Sequence, residues 1–357
     1  RLCQIYGCSV NVMSEKIAIA NPAEAHARDE IARMFEAARE MLPGDADVGA
    51  VRVEALETFA QQGLPHRRVE QWKYTDLRRL MGAPAPLATM PDDAALATAA
   101  ELVHGQNVDA ALTLVMVDGH YAPQLTEEAD RAGIQVLQLA RALGNPEIHT
   151  RGDLLRAAFD DAMVALNGVF ASDGLIVHVP NGFKLDKPIH LVHVATQDGR
   201  ASYTRSLMTI GQGAEVRLIE TCLSAADGAP QMNDALQVWV GDDARFHHAR
   251  LVPQAMMDAG DGMIVSSSLY SLGARARLSL FNLVMDGAMN RFQSIMKCTG
   301  EGARVDAHGA HLLRGAQHAD MTILLDHEAP HCASEEVFRA VLDDRARSVF
   351  QGKIVVR

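Results

Sequence analysis

Four short stretches of this chain repeat one pattern: GQGAEV, GDDARF, SLGARA and GEGARV each pass from a turn through an alanine into a strand. The alanines are Ala214, Ala244, Ala274 and Ala303, so the steps between them are 30, 30 and 29 residues. A turn that returns at a nearly fixed step marks stacked coils, because each coil repeats the backbone path of the one before. Roughly 30 residues hold about three strands of the usual 5–6 residues together with their turns. A parallel β-helix meets that requirement, each strand pairing with its counterpart one coil away. An antiparallel sandwich whose hairpins look alike is the competing arrangement.

The strands that such a column needs are present. From Gly174 onward, eleven short apolar stretches follow one another, from LIVHV to ADMTILLDH, with no long helix between them. That order excludes a sheet of alternating strands and crossover helices. Upstream the period changes. Ile31, Met34, Phe35, Ala38 and Leu42 fall on one face of a helix over residues 24–42, which Pro43 and Gly44 end. A second helix is expected over 51–62, then an Ala/Pro-rich linker. ALTLVMVDG reads as a buried strand, and GDLLRAAFDDAMVALNGVF as one amphipathic helix. The expected organisation is a helical region with its linker over 13–107, a small α/β connecting segment over 108–172, and a mainly β parallel β-helix (solenoid) over 173–357. MSEK at Met13 reads as a translation start, so residues 1–12 are expected to be a non-native extension.

Composition narrows the function classes. A net charge of −12 argues against a nucleic-acid surface, which needs a basic stripe. No apolar run approaches the roughly 20 residues of a membrane span. Cys3, Cys8, Cys222, Cys298 and Cys332 are odd in number and widely spaced, which suits free thiols and a cytoplasmic location.

Histidine concentrates late in the chain, where His308, His311, His318, His327 and His331 lead to Cys332. Structural zinc sites usually show two close ligand pairs, and iron–sulfur sites several thiolates. His308 and His311 point to opposite faces of a strand unless Gly309 makes a bulge. His327 and His331 share parity, but Pro330 interrupts the ladder. Coils stacked about 4.8 Å apart allow distant histidines such as His247, His248, His308 and His311 to converge on one face. Cys332, His327, His331, His308 and His311 are therefore the candidate metal ligands, set against the plainer reading of surface and ladder histidines. Cys222 and Cys298 end strands and read as inert core thiols. The sequence holds no P-loop, G-x-S-x-G or H-E-x-x-H motif, so no catalytic residue is assigned and no enzymatic activity is expected. Trp72 is read as a packing residue or a partner anchor. Arg345 and Arg347, beside Asp343 and Asp344, are read as a locally paired turn or a partner contact.

Three segments resemble, in the right order, those of the SufB/SufD family of iron–sulfur cluster assembly proteins. They are HRRVEQWKYTDLRRL, GLIVHVPNGFKLDKPIHL and DHEAPHCASEEVFRAVLDDRARSVFQGKI, and WKYT favours the SufD branch. The resemblance implies a right-handed parallel β-helix after an N-terminal helical region, and a continuation past FQGKI into a C-terminal helical region. It implies a non-catalytic subunit of the SUF complex, acting in cluster assembly and iron acquisition with an ABC-type ATPase subunit and the SufB scaffold. Arg345 and Arg347 become candidate contacts to SufB, and Trp72 a candidate contact to a partner. No cofactor is expected on this chain alone, and an iron–sulfur cluster is expected at an interface with SufB. Homodimerisation is the expectation in isolation. A SufB-like scaffold paralogue is the alternative within the family. A polysaccharide-acting β-solenoid is the alternative outside it, and would need paired carboxylates or aromatic platforms that a chain with 5% aromatic residues scarcely supplies.

Overall fold

The computed structural model describes residues 22–81, 84–128, 133–156, 159–226, 228–253 and 262–357; the expected extension, with Cys3 and Cys8, lies outside them. Helices α1 (Pro22–Ala38), α2 (Ala46–Gln62), α3 (Leu77–Leu80) and α4 (Asp93–Gly105) come first. The second helix starts five residues earlier than its apolar pattern suggests, because Asp45 caps it and accepts from the Asp47 and Val48 amides. Strands β1 (Leu112–Val117), β2 (His120–Tyr121), β3 (Glu127–Glu128) and β4 (Gln135–Gln138) follow, then helices α5 (Leu139–Leu143) and α6 (Ala162–Phe170). The single helix expected before Phe170 is instead a 3-10 turn over Arg151–Leu155 followed by α6. Asp161 starts α6 by accepting from the Met163 and Val164 amides.

The remaining strands build the column. They are β5 (Leu175–Val179), β6 (Ile189–Ala195), β7 (Ala201–Ile210), β8 (Glu215–Ser224), β9 (Gln231–Val240), β10 (Arg245–Val252), β11 (Met263–Leu272), β12 (Arg277–Val284), β13 (Met289–Cys298), β14 (Arg304–Leu313), β15 (His318–His327), β16 (Ala333–Leu342) and β17 (Arg347–Val356). Even-numbered strands from β6 to β16 pair in parallel in one sheet and odd-numbered strands from β5 to β17 in the other. The result is a parallel β-solenoid of about six turns, not a sandwich of hairpins. Each turn uses two strands, mostly of 8–10 residues, rather than the expected three short ones, so the cross-section is a flattened oval between two sheets. Part of segment 108–172 extends the column, whereas α6 packs with the helical region. Strand β1 runs parallel to β6 from Leu112 beside Ile189 to Val117 beside Val194.

The repeated turn explains the step. In each coil a residue enters the left-handed region just before the alanine: Gly213 (φ 67°), Asp243 (59°), Arg275 (57°) and Gly302 (72°). The alanine after it is shut inside the column, where Ala214, Ala244, Ala276 and Ala303 are at most 1% exposed. The stacked residue in SLGARA is therefore Ala276, not Ala274, and the true spacing is 30, 32 and 27 residues. The glycine that opens each turn lies against the turn before it. A Cβ on Gly300 would fall 2.0 Å from the Ala274 nitrogen.

The two sheets read differently because they face different neighbours. In β8, β10, β12 and β14, buried and more exposed residues largely alternate, as for a sheet with one wet face. In β11 and β13 nine of ten residues are buried. Their outer face is covered: Met263, Val265 and Met289 pack with Phe35, Phe59, Trp72, Leu166 and Phe170 of the helical region. Among the described residues no helix is long and apolar enough to cross a membrane.

Candidate functional site

One stretch of the column's interior is ionic. Alternation sends Glu220 inward in line with Val216 and Leu218, and Arg250 inward in line with Phe246 and His248. The parallel register sets Arg250 directly beside Glu220 on the next coil. One guanidinium nitrogen of Arg250 donates to Glu220 Oε2 at 2.8 Å, the other to Asp234 Oδ2 at 2.6 Å. Asp234 comes from β9 in the opposite sheet, so Arg250 ties the two walls together. His193 Nε2 and His248 Nε2 lie 2.9 and 3.0 Å from the two Glu220 oxygens. Tyr270 holds His248 Nδ1 at 2.8 Å, and Ser266 donates to Asp234 at 2.5 Å. The Phe292 ring centre is 4.9 Å from the Arg250 guanidinium. All of these side chains are buried.

The chemistry of this cluster is that of a clamp. Burial pushes the Glu220 carboxyl up, but the Arg250 guanidinium and the hydrogen bonds from His193 and His248 outweigh it and hold the group well below the usual carboxylate range. With three donors on it and its pKa held low, this carboxylate is a poor proton acceptor. Cys222 lies 3.7 Å from Arg250, yet burial pushes its thiol up to about 12. It is a protonated, unreactive sulfur.

Two other buried histidines, His190 on the covered outer face of β6 and His311 inside the column, contribute to the acid response. Burial pushes both His190 and His311 down to about 4 from an ordinary 6.5. The unfolded chain takes up these protons as pH falls through 6.5, while the folded chain refuses them until about 4. Stability held above 6.5 is therefore lost progressively toward 4, with a slope approaching two protons per molecule. Glu220, with its depressed pKa, adds loss in the same direction as pH drops below its unfolded value of 4.5. Urea melts across this window will show the midpoint falling with pH; a flat midpoint contradicts the buried, neutral state of these rings.

A second buried cluster fastens the helical region to the outside of the column. Trp72 is 2% exposed, its indole N–H donates to Asp161 Oδ2 at 3.0 Å, and the Arg291 guanidinium stacks 3.8 Å from its ring centre. Arg291 also donates to Asp320 at 2.5 Å and to the Gln71 carbonyl at 2.6 Å. Thr75 bonds Asp320 and lies 2.9 Å from His318 Nε2. The indole is thus consumed within the chain, which leaves it no face for a partner and corrects the reading of Trp72 as a contact residue.

The candidate ligands occupy separate settings. His308 points outward and His311 inward from an unbroken β14, with Gly309 in register opposite Phe338 and no bulge. His311 Nδ1 lies 2.7 Å from Ser348 Oγ. His327 is buried at the end of β15 beside Cys298 on the ladder. His331 is the exposed left-handed residue of a turn, 3.9 Å from Glu301. Cys332 takes the repeated alanine's place on the next coil, opposite Ala303, and is half-buried. His247 and His248 sit on opposite faces of β10, in rungs other than those of His308 and His311. Among the described residues, no three His, Cys, Asp or Glu side chains gather to hold a metal ion. Arg345 and Arg347 make no ion pair with Asp343 or Asp344; they line a recess against the helical region. Sequence reading missed Glu220, Arg250, Asp234, Arg291 and Asp320. The available signal was a charged residue at core parity, as for Glu220 in LIETC.

The fold and its sites define a parallel β-solenoid with an ionic clamp in its bore and a helical region pinned to one sheet. The chain belongs to the SufBD family of SUF-system iron–sulfur cluster assembly proteins: residues 193–357 match its core domain and residues 25–191 its N-terminal region. Similar proteins include an iron–sulfur cluster assembly SufBD family protein of Synechocystis, 25% identical over 346 residues that cover 92% of this chain and 74% of that one. The iron–sulfur cluster assembly protein SufD of Escherichia coli is 23% identical over 313 residues, covering 84% of this chain and 68% of its own. The chloroplastic protein ABCI7 of Arabidopsis thaliana is 22% identical, with 86% and 65% covered.

Proposed function

We propose that this chain is a non-catalytic subunit of a SUF assembly complex, acting in the cytoplasm beside a SufB-like β-helix scaffold and an ABC-type ATPase in cluster assembly and iron acquisition. The observation that carries the reading is the match of residues 25–191 and 193–357 to both family regions. The iron–sulfur cluster is cargo in this reading. Among the described residues no three metal-binding side chains gather, so any cluster this chain touches takes most of its ligands from the partner, with the half-exposed thiol of Cys332, which lies against Cys298, on this side.

The test is affinity capture of the tagged protein from its own cells, with iron–sulfur enzyme activities measured after its gene is deleted. The expected result is recovery of a second SufBD protein and an ABC-type ATPase, and loss of cluster-dependent activities under iron limitation. Recovery of neither, with normal activities in the deletion strain, overturns the proposal.

A further inference from the structure

Four arginines meet where the helical region faces the last coils. Arg67 and Arg79, flanking the WKYT segment, look across a recess of about 430 Å³ at Arg345 and Arg347 from the turn before β17 and its first residue. Tyr74 and His318 complete the wall. A volume of this order suits a small molecule, since ligand sites typically run from about 300 to 1,000 Å³.

The charge in this recess is not neutralised. Among the described residues Asp76 is the one carboxylate lining it, and its Oδ2 lies 3.4 Å from Arg67. Among the described residues, Arg79, Arg345 and Arg347 have no ion-pair partner. Asp343, two residues before Arg345, accepts instead from the Asp344 amide in its own turn. Lys73 adds a further cation, 5.4 Å from the Tyr74 ring centre. In a chain with net charge −12, carboxylates are plentiful, and this fold has left them out. Guanidinium groups brought together without counter-charge repel one another, a cost that a bound anion removes.

The walls are also fixed in place. Thr75 is bonded to His318 and Asp320, which holds the Tyr74 segment on β15. Arg347 stands beside His318 on the ladder, and its amide donates to the Gln317 carbonyl at 2.8 Å; the Arg345 amide donates to Gly315 at 2.9 Å. Planar guanidinium forks on a rigid frame match the paired oxygens of a phosphoryl group. Four arginines against one aspartate call for a multiply charged anion rather than a single carboxylate.

We infer that the recess bounded by Arg67, Arg79, Arg345 and Arg347 binds a small molecule carrying a diphosphate group. The inference stands apart from the assembly role and can fail or hold without it. The experiment is calorimetric titration of the full chain at low salt with inorganic pyrophosphate, with ADP as a diphosphate ester and with an oligoglutamate peptide. Saturable binding of pyrophosphate is expected, weakened by added salt. Arg347→Ala and Arg79→Ala should each weaken it about tenfold, the scale of one lost charge-assisted pair. Arg347→Lys should fall between, since it keeps the charge and loses the fork. ADP binding as tightly as pyrophosphate identifies an ester as the natural form, and weaker ADP binding identifies the free anion. The inference is overturned by three results: no saturable pyrophosphate binding, affinity unchanged in an Arg79→Ala/Arg347→Ala variant that melts like the parent, or oligoglutamate binding in preference to both phosphates.

Discussion

An Arg250→Met variant should lose about 3–5 kcal/mol of unfolding free energy, the scale expected when one partner leaves a buried ion pair. The loss does not come from packing, since methionine fills most of the space. It comes from Glu220 and Asp234, both buried, which would be left without the cation that bridges them. Glu220 would keep His193 and His248, and Asp234 would keep Ser266, so the column should still form. A Glu220→Gln/Arg250→Met double variant should recover part of the loss, because one uncompensated charge leaves with its partner. Chemical denaturation of the parent, both single variants and the double variant closes the cycle. A cost below about 1 kcal/mol for Arg250→Met would mean that water or a neighbour replaces the guanidinium, and the clamp between the two sheets would have to be abandoned.

That clamp also shows how far the sequence reaches. The coil was legible because its turn has one residue type that must be small: the alanine packed against the next coil's alanine. The turn's other requirement, a left-handed residue, is met by Gly213, Asp243, Arg275 and Gly302, which share no side chain and so leave no pattern to count. For that reason SLGARA offers two alanines, and only the backbone pairing selects Ala276 over Ala274. The eleven stretches from LIVHV to ADMTILLDH are the eleven strands β5 to β15, but the number of strands per coil was not legible. A usual length of 5–6 residues puts three strands in a 30-residue step, whereas strands of 8–10 residues leave room for two. Period-two parity does place Glu220 and Arg250 inside the column. It also turns Asp234 inward, in line with Met232, Leu236 and Val238 of β9, but it does not say that Asp234 meets Arg250, because the distance across the bore is set by the flattening of the coil. The histidine cluster misleads for the same reason. Residues close in sequence are dealt alternately inward and outward by β14, and turns divide the rest among separate coils.

Trp72→Ala should cost about 3–5 kcal/mol, as large-to-small changes at buried aromatic positions do. The indole fills the joint between the helical region and the outer face of β13, and three groups depend on it. Asp161 would lose its indole donor but keep the α6 amides of Met163 and Val164. Arg291 would lose the ring beneath its guanidinium while remaining bound to Asp320 and Gln71. The carbon surface of Phe35, Phe59 and Met289 would face a void. Trp72→Phe separates these contributions, since a phenyl ring keeps an aromatic face under Arg291 and drops the N–H with the smaller ring of the indole, for a loss of about 1–2 kcal/mol. If the joint is a single cooperative unit with the column, both variants shift one unfolding transition and the two sheets melt with the helices. If the helical region is docked independently, Trp72→Ala splits the transition, and exchange of the helical amides accelerates while those of β8 and β10 stay protected. Equal stability of the alanine variant and the parent would leave the WKYT segment without a structural role and return Trp72 to the surface as a contact residue.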